Sequence, residues 1–362
     1  MDDQPMRRAL ALAGRGRGSV EPNPLVGAVL LHERRVVAEG WHRAFGEPHA
    51  EIEAIRSLGN QKADTLYVNL EPCHHPGKTP PCTEAIPAAG IEKVVFGMRD
   101  PNPDVRGGGA EALRSRGIEV VEGSLPVECR KLNVPFTKWV TKKLPYVTAK
   151  WAMTLDGRMA TPSGDSKWIS CEASRKIVHD LRGEVDAILV GVGTVLQDDP
   201  RLNCRTEPKR VARRIVADSQ ARTPPGCAML QEKEGGEVII AVTERAPNAR
   251  ISALEDAGAK VWVIPGQGDR VDLDGFLARI GVEGATHLLV EAGPTLLGSL
   301  FRAEQVDRVL CFIAPKILGG EGRPVAGWSV EVAGEPVSLD DMVVRRVEDD
   351  ILVEGVVVRP GA

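Results

Sequence analysis

Aromatic residues are scarce in this chain: two Tyr, six Phe and six Trp among 362 residues. A protein that grips single-stranded nucleic acid needs stacking platforms, and few are available here. A cationic excess is also missing. The 46 Lys and Arg are outnumbered by 50 Asp and Glu, a formal net charge of −4, so there is no electrostatic footprint for nucleic acid. No apolar run approaches the roughly 20 residues of a membrane span. The opening Met1-Asp2-Asp3-Gln4-Pro5 has no apolar stretch behind a basic cluster, so no secretory signal is expected. Seven Cys is an odd number, scattered from Cys73 to Cys311, which suits a reducing compartment better than a disulfide framework. These features predict a cytoplasmic protein with no membrane and no nucleic-acid partner. The chain also lacks G-x-G-x-x-G, so a standard dinucleotide fingerprint is absent.

What is present is an ordinary globular composition, 43% hydrophobic and 27% charged, long enough for two domains. Strand-like and helix-like segments alternate almost throughout, which predicts α/β layers with largely parallel sheets. A hairpin is expected at 25–31 and 35–40. One long helix is expected from about Val127 to Lys142, ended by Leu144-Pro145. The domain boundary is placed there, giving 1–145 and 146–362. Between Arg222 and Gly236 the sequence reads as a mobile excursion, and Val343 to Val358 as two antiparallel strands.

Five of the seven His fall in the first 75 residues, and one opens His49-Ala50-Glu51. Pro72-Cys73 and Pro81-Cys82 follow. His-x-Glu followed by Pro-Cys and a second Cys is the pattern of zinc nucleobase deaminases. One neutral imidazole and two thiolates are good zinc ligands, and a catalytic zinc keeps its fourth position for water. Glu51, close to the ligands but not one of them, is placed to carry a proton from that water to a leaving amine. Eight residues separate the two Cys, not two. His74 and His75 adjoin the first Cys and compete as ligands on spacing alone. His75 could equally line the substrate pocket.

Four segments in order carry a specific resemblance: Pro22-Asn23-Pro24-Leu25-Val26-Gly27, Gly46-Glu47-Pro48-His49-Ala50-Glu51, Glu71-Pro72-Cys73 through Thr79-Pro80-Pro81-Cys82, and Asp100-Pro101-Asn102-Pro103. They resemble the deaminase half of the bifunctional riboflavin biosynthesis deaminase–reductase family, whose long inter-cysteine loop this chain shares. That resemblance implies a cytidine-deaminase-like N-terminal domain with zinc on His49, Cys73 and Cys82 and Glu51 as the catalytic proton carrier. It also implies substrate contacts from Asn23, His42, His75, Asp100 and Asn102. On local chemistry alone, Asn23 and Asn102 read equally well as turn residues beside proline.

The second half is less telling residue by residue. Gly191-Val192-Gly193 follows an apolar strand but lacks the third glycine. Glu291-Ala292-Gly293-Pro294 follows His287–Val290 and opens a helix, where backbone N–H groups suit a phosphate. The order of motifs is more specific. Lys150-Trp151-Ala152-Met153-Thr154-Leu155-Asp156-Gly157-Arg158, Ser166-Lys167-Trp168, Gly193-Thr194, Asp198-Asp199-Pro200, Asp218-Ser219, Glu291 to Thr295 and Ala314-Pro315-Lys316 are similar to the reductase half of the same family.

That half has a dihydrofolate-reductase-like fold and uses NADPH. The resemblance implies cofactor contacts from Ala152, Trp168, Thr194, Asp198, Ser219 and the stretch Gly293, Pro294, Thr295, Leu296, Leu297, Gly298, Ser299. It implies substrate contacts from Ser166, Arg182, Leu202, Arg205 and Glu291, with Arg182 and Arg205 holding a 5-phosphate.

The expected enzyme is therefore a bifunctional hydrolase and oxidoreductase. It deaminates 2,5-diamino-6-(5-phosphoribosylamino)pyrimidin-4-one, then reduces the ribosyl side chain to ribityl with NADPH. Its partners are a phosphorylated pyrimidine and further copies of itself, as a dimer or tetramer. The alternatives are a nucleic-acid or free-base zinc deaminase fused to an unrelated domain, and a zinc-stabilised scaffold without turnover.

Overall fold

A computed structural model describes residues 3–74, 81–103, 108–267, 269–325, 327 and 336–359. The chain divides into two compact units, Met1–Lys143 and Leu144–Ala362. No helix among the described residues is long and apolar enough to cross a membrane.

The first unit runs α1 (Gln4–Ala13), β1 (Gly27–His32), β2 (Arg35–Trp41), α2 (Ala50–Leu58), β3 (Thr65–Leu70), α3 (Cys82–Ala88), β4 (Lys93–Met98), α4 (Gly109–Ser115), β5 (Glu119–Glu122), α5 (Pro126–Leu132) and α6 (Val134–Lys142). Its sheet order is β2-β1-β3-β4-β5. The hairpin strand β1 is antiparallel to both β2 and β3, while β3, β4 and β5 run parallel. Strands β1, β3 and β4 read as nearly unbroken apolar runs because helices cover the sheet. Gly40 in β2 matters for the site. A Cβ there would strike Ala50 O and Ala54 N, so only glycine lets α2 lie so close to the strand.

The long helix expected from Val127 to Lys142 is two helices. Pro135 has no N–H to continue the ladder, and Asn133 takes a non-helical φ of −107° between them. The buried Asn133 side chain repays the break: it accepts from Leu25 N at 2.8 Å and donates to Leu25 O at 3.0 Å.

The second unit continues with β6 (Tyr146–Thr154), β7 (Arg158–Ala160), α7 (Glu172–Arg182), β8 (Ala187–Gly191), α8 (Val192–Asp198), β9 (Arg213–Ala217), α9 (Ala228–Gln231), β10 (Val238–Val242), α10 (Asn248–Asp256) and β11 (Lys260–Val263). Then come β12 (Gly266–Gln267), β13 (Arg270–Val271), α11 (Leu273–Val282), β14 (His287–Val290), α12 (Pro294–Arg302), β15 (Arg308–Ala314), β16 (Arg323–Pro324), β17 (Leu339–Val347) and β18 (Asp350–Val357). The main sheet has the order β11-β10-β9-β8-β14-β6-β15-β18-β17. It is parallel from β11 through β15 and closes with the antiparallel β18 and β17.

This tail does more than extend the sheet. Asp350, the buried first residue of β18, accepts from Cys171 N at 2.8 Å and Ser174 Oγ at 2.6 Å, and so ties the tail to the start of α7.

The segment 222–236, read as a mobile excursion, is packed instead. It carries α9, whose Met229 is fully buried. Thr223 donates twice to buried Asp218, through N at 2.6 Å and Oγ1 at 2.8 Å. The buried Arg214 guanidinium reaches Met229 O and Gly236 O, each at 2.7 Å. Gly and Pro content flagged a loop, but the buried apolar residues among them decide its packing.

Candidate active sites

In the first unit, three donors converge beyond the end of β3. His49 precedes α2 in an extended conformation, Cys73 follows β3 after Pro72, and Cys82 is the first residue of α3. Their ligand atoms all lie within 4.8 Å of one another. His49 Nδ1 is 3.4 Å from each sulfur. Zn–S and Zn–N bonds of about 2.3 and 2.0–2.1 Å at tetrahedral angles give an N···S edge of about 3.5 Å. The donor set therefore fits a tetrahedral zinc with one corner left open. Cys73 is pulled down to about 4, first by the hydrogen bond from Cys82 and then by His49, while burial opposes. His49 is raised to about 9, chiefly by its hydrogen bond with Cys73. Cys82 moves the other way, pushed up by its hydrogen bond with Cys73 and by burial.

Glu51 stands in the first turn of α2 and is 3% exposed. Burial pushes its carboxyl above the usual range, and the charges of His49 and Cys73 act on it directly. His42 lies edge-on to His49 with ring centroids 5.9 Å apart. Its Nδ1 is 3.0 Å from Pro48 O, and a carbonyl only accepts, so Nδ1 carries the hydrogen. Nε2 then accepts from Asn23 Nδ2 at 3.1 Å. Burial lowers the His42 pKa, keeping this ring neutral.

Asp100 and Asn102 follow β4. Asp100 Oδ1 accepts from Asn102 N at 2.9 Å, so the side chain that makes this turn is that of Asp100. Buried Glu71 ties this turn to the cysteine segment: it accepts from Asp100 N at 3.3 Å and Ala110 N at 3.0 Å. Glu71 stands within the cysteine motif, but no local pattern signals this buried role. His74 bonds Thr83 Oγ1 at 2.9 Å and takes no place in the cluster. His75 lies outside the described residues.

In the second unit a cavity of about 1840 Å³ opens at the C-terminal ends of the parallel strands. Drug-sized ligand pockets typically enclose about 300–1,000 Å³, so this one has room for two ligands side by side. Two helix starts line it, Val192-Gly193-Thr194 after β8 and Gly293-Pro294-Thr295 after β14. Backbone N–H groups there suit the phosphates of a dinucleotide, and the crevice beyond the strand ends is where open α/β sheets bind them.

Ala152, Ser166, Trp168, Asp198, Leu202, Ser219, Leu296 and Ser299 line the same cavity. Leu297 and Gly298, expected beside the cofactor, do not. They are buried, with Leu297 in the apolar core, because this turn of α12 presents them to the sheet. Trp168 is exposed, with the Arg175 guanidinium 4.7 Å from its ring centroid. Lys316 pins that segment by donating to Trp168 O at 2.7 Å and Ile169 O at 2.8 Å.

The charged core of the cavity is Arg182, Glu291 and Lys150. Arg182 Nε and Nη2 donate to the two Glu291 oxygens at 2.6 and 3.0 Å, and Nη1 donates to Asn203 O at 3.2 Å. Lys150 Nζ stands 3.7 Å from Glu291. Burial alone would raise the Glu291 carboxyl, but Arg182 and then Lys150 hold it at about 2. Arg182, expected to hold a phosphate, thus has most of its hydrogen-bonding committed to the protein. Arg205 lines the cavity and makes no hydrogen bond or ion pair among the described residues. The sequence reading missed Lys150 and His179 as cavity residues. A lysine inside an otherwise apolar strand, and a His three residues before Arg182 on one helix, were the available signals.

Both halves of the chain match known families. Residues 145–353 match the family described as RibD C-terminal domain, and residues 1–98 match the cytidine and deoxycytidylate deaminase zinc-binding region. The riboflavin biosynthesis protein RibD of Actinobacillus pleuropneumoniae is 43% identical over 359 residues, covering 98% of this chain and 95% of that protein. A diaminohydroxyphosphoribosylaminopyrimidine deaminase/5-amino-6-(5-phosphoribosylamino)uracil reductase from Thermotoga maritima superposes with a TM-score of 0.87 at 37% identity, covering 98% of each chain. Acinetobacter baumannii RibD superposes with a TM-score of 0.88 at 33% identity, covering 99% of each.

Proposed function

The chain belongs to the RibD family of zinc- and NADPH-dependent deaminase–reductases of riboflavin biosynthesis, and from that premise we propose how its own residues divide the two reactions. Residues 1–145 deaminate 2,5-diamino-6-(5-phosphoribosylamino)pyrimidin-4-one. Residues 146–362 reduce the ribosyl group of the deaminated product to ribityl. A second half that matches the reductase family disfavours a deaminase joined to an unrelated domain. Location in the cytoplasm and assembly as a dimer or tetramer belong to the same reading. The edge strand β17, with Met342, Val343 and Val344 exposed, supports self-association, and sedimentation velocity tests it.

The observation that carries the deaminase assignment is the donor cluster at tetrahedral spacing with buried Glu51 against it. His49, Cys73 and Cys82 hold the metal. Zinc at such a site brings the pKa of a bound water close to neutral. Glu51 takes the proton released as water adds to the amine-bearing carbon, and returns it to the nitrogen that leaves as ammonia. His42, held neutral and oriented by Pro48 O, fixes Asn23 at the pocket. Asp100 and Asn102 complete the substrate contacts, positioned by Glu71.

In the reductase, the helix starts at Val192 and Pro294 receive the cofactor phosphates. NADPH supplies the hydride for the ribosyl carbon. Glu291, kept ionised by Arg182 and Lys150, and Ser166 and Leu202 shape the substrate side of the cavity. Arg205 holds the 5-phosphate, and Arg182 acts mainly by holding Glu291.

Incubating the purified protein with the diaminopyrimidine, with and without NADPH, tests the whole reading by product mass. Without NADPH the product should be deaminated only; with it, deaminated and reduced. No mass change in either arm would refute it.

Elemental analysis should find one zinc per chain. Cys73→Ala and Cys82→Ala should lose both the metal and deamination. Full metal content in either variant would remove that cysteine from the ligand set. Arg205→Ala should raise the reductase substrate KM roughly 10- to 150-fold, the equivalent of the about 1.5–3 kcal/mol of a hydrogen bond to a charged group. NADPH affinity and deamination should not change. An unaltered KM would show that the residue does not meet the phosphate.

A further inference from the structure

His179 lines the reductase cavity one turn before Arg182 on α7. Its Nδ1 lies 3.2 Å from Asn203 O. A carbonyl only accepts, so Nδ1 carries the hydrogen and Nε2 is left with its lone pair. Nε2 has no partner among the described residues. The backbone carbonyl of His179 accepts from Cys204 Sγ at 3.1 Å, which fastens the helix to the loop that carries Arg205.

The charged groups acting on the ring come from three elements: Arg182 on α7, Arg205 on that loop, and Glu291 at the end of β14. Arg182 and Glu291 are paired with each other. That leaves Arg205, which makes no ion pair among the described residues, as the unpaired charge acting on His179. Burial first, then Arg182 and Arg205, depress the imidazole pKa, so the ring is neutral near pH 7 in the protein alone. A phosphate dianion set against Arg205 reverses the local sign. It gives a protonated Nε2 an acceptor, and the imidazolium becomes the favoured form.

We propose that His179 is a second, proton-coupled ligand of the substrate's 5-phosphate, taking up a proton from solution as the phosphate binds and donating it from Nε2 to a phosphate oxygen. The proposal rests on the reading that Arg205 meets that phosphate. The proton balance is simple: neutral imidazole, dianion and one solvent proton give an imidazolium–dianion pair. Binding would then weaken as pH rises through the raised pKa of the bound state.

Ribose 5-phosphate is the probe, titrated into the full-length zinc-loaded protein by calorimetry at pH 7.5. A phosphate monoester has its second pKa near 6, so at this pH the ligand is already the dianion. Titrations in two buffers of different ionisation heat count the protons taken up. The wild type should take up as much as about one proton per ligand, and its affinity should fall by up to about tenfold per pH unit between pH 7 and 9. His179→Asn places an amide nitrogen where Nδ1 stood and cannot titrate. It should bind with little or no proton uptake and a flat pH profile.

A wild type that takes up no proton, or a His179→Asn protein that takes up as many as the wild type, overturns the assignment. Arg205→Ala separates the two layers. If it binds ribose 5-phosphate as tightly as the wild type, the phosphate reading itself fails. If it loses binding while the wild type takes up no proton, only the role of His179 fails.

Discussion

Glu51→Gln is expected to slow deamination by about 10²–10⁴-fold, the usual worth of a positioned acid–base group. The amide has almost the shape of the carboxylate but cannot accept and return a proton. Glu51 is 3% exposed, so no bulk water stands ready to replace it as the carrier. It is not one of the three clustered donors, so the variant should keep one zinc per chain. Reduction of separately supplied deaminated pyrimidine should continue at the wild-type rate. A steady-state assay of ammonia release, paired with elemental analysis, decides the matter. Near-normal ammonia release from zinc-loaded Glu51→Gln protein would refute the proton-carrier role.

Arg182→Ala is expected to destabilise the second unit by about 3–5 kcal/mol, the cost of leaving a buried carboxylate without its main partner. The pair is nearly enclosed, with side chains 14% and 10% exposed, so solvent cannot take over the lost contacts. Lys150, at 3.7 Å, compensates only in part. Glu291 also makes the effect depend on pH. Its folded-state pKa, about 2, lies below the ordinary value of 4.5, so the pair's stabilisation is complete above the ordinary value. It is lost as pH falls through that window toward 2, where the carboxylate takes up a proton. Denaturant unfolding at pH 7 and pH 3 measures both effects. The difference between wild type and Arg182→Ala should be largest at pH 7 and shrink at pH 3. A loss under about 1 kcal/mol at pH 7 would mean the pair contributes no more than an exposed one.

The donor cluster proposed to hold zinc was legible because spacing and chemistry coincide. His-x-Glu and two Pro-Cys steps read as zinc chemistry whatever the fold, and the structure gathers those three donors. The alternation of apolar runs and helical segments likewise foretold α/β layers, since parallel strands covered on both faces must be apolar throughout. The single helix expected before residue 143 was a misreading of local pattern. Apolar periodicity runs across Asn133, but Pro135 removes a donor and the Asn133 side chain finds better partners in Leu25. The segment 222–236 failed for the opposite reason. Its Gly and Pro signal a loop, and nothing local says that Arg214 will bind its carbonyls.

The sequence by itself determined which residue types stand at the spacing of zinc ligands beside a carboxylate, and which family's motif order the chain follows. Those properties reside in residue type and spacing, which survive without coordinates. Only the tertiary structure decided how the arginines and the α12 stretch are used. Arg182 and Arg205 look alike in the sequence. Their surroundings separate because Glu291, 109 positions away, comes within 2.6 Å of Arg182, while no carboxylate pairs with Arg205 among the described residues. Leu297 and Gly298 turn to the core while Leu296 and Ser299 line the cavity, a choice made by the face α12 lays on the sheet. Charge pairing and helix rotation are set by contacts between distant parts of the chain, and no local window contains them.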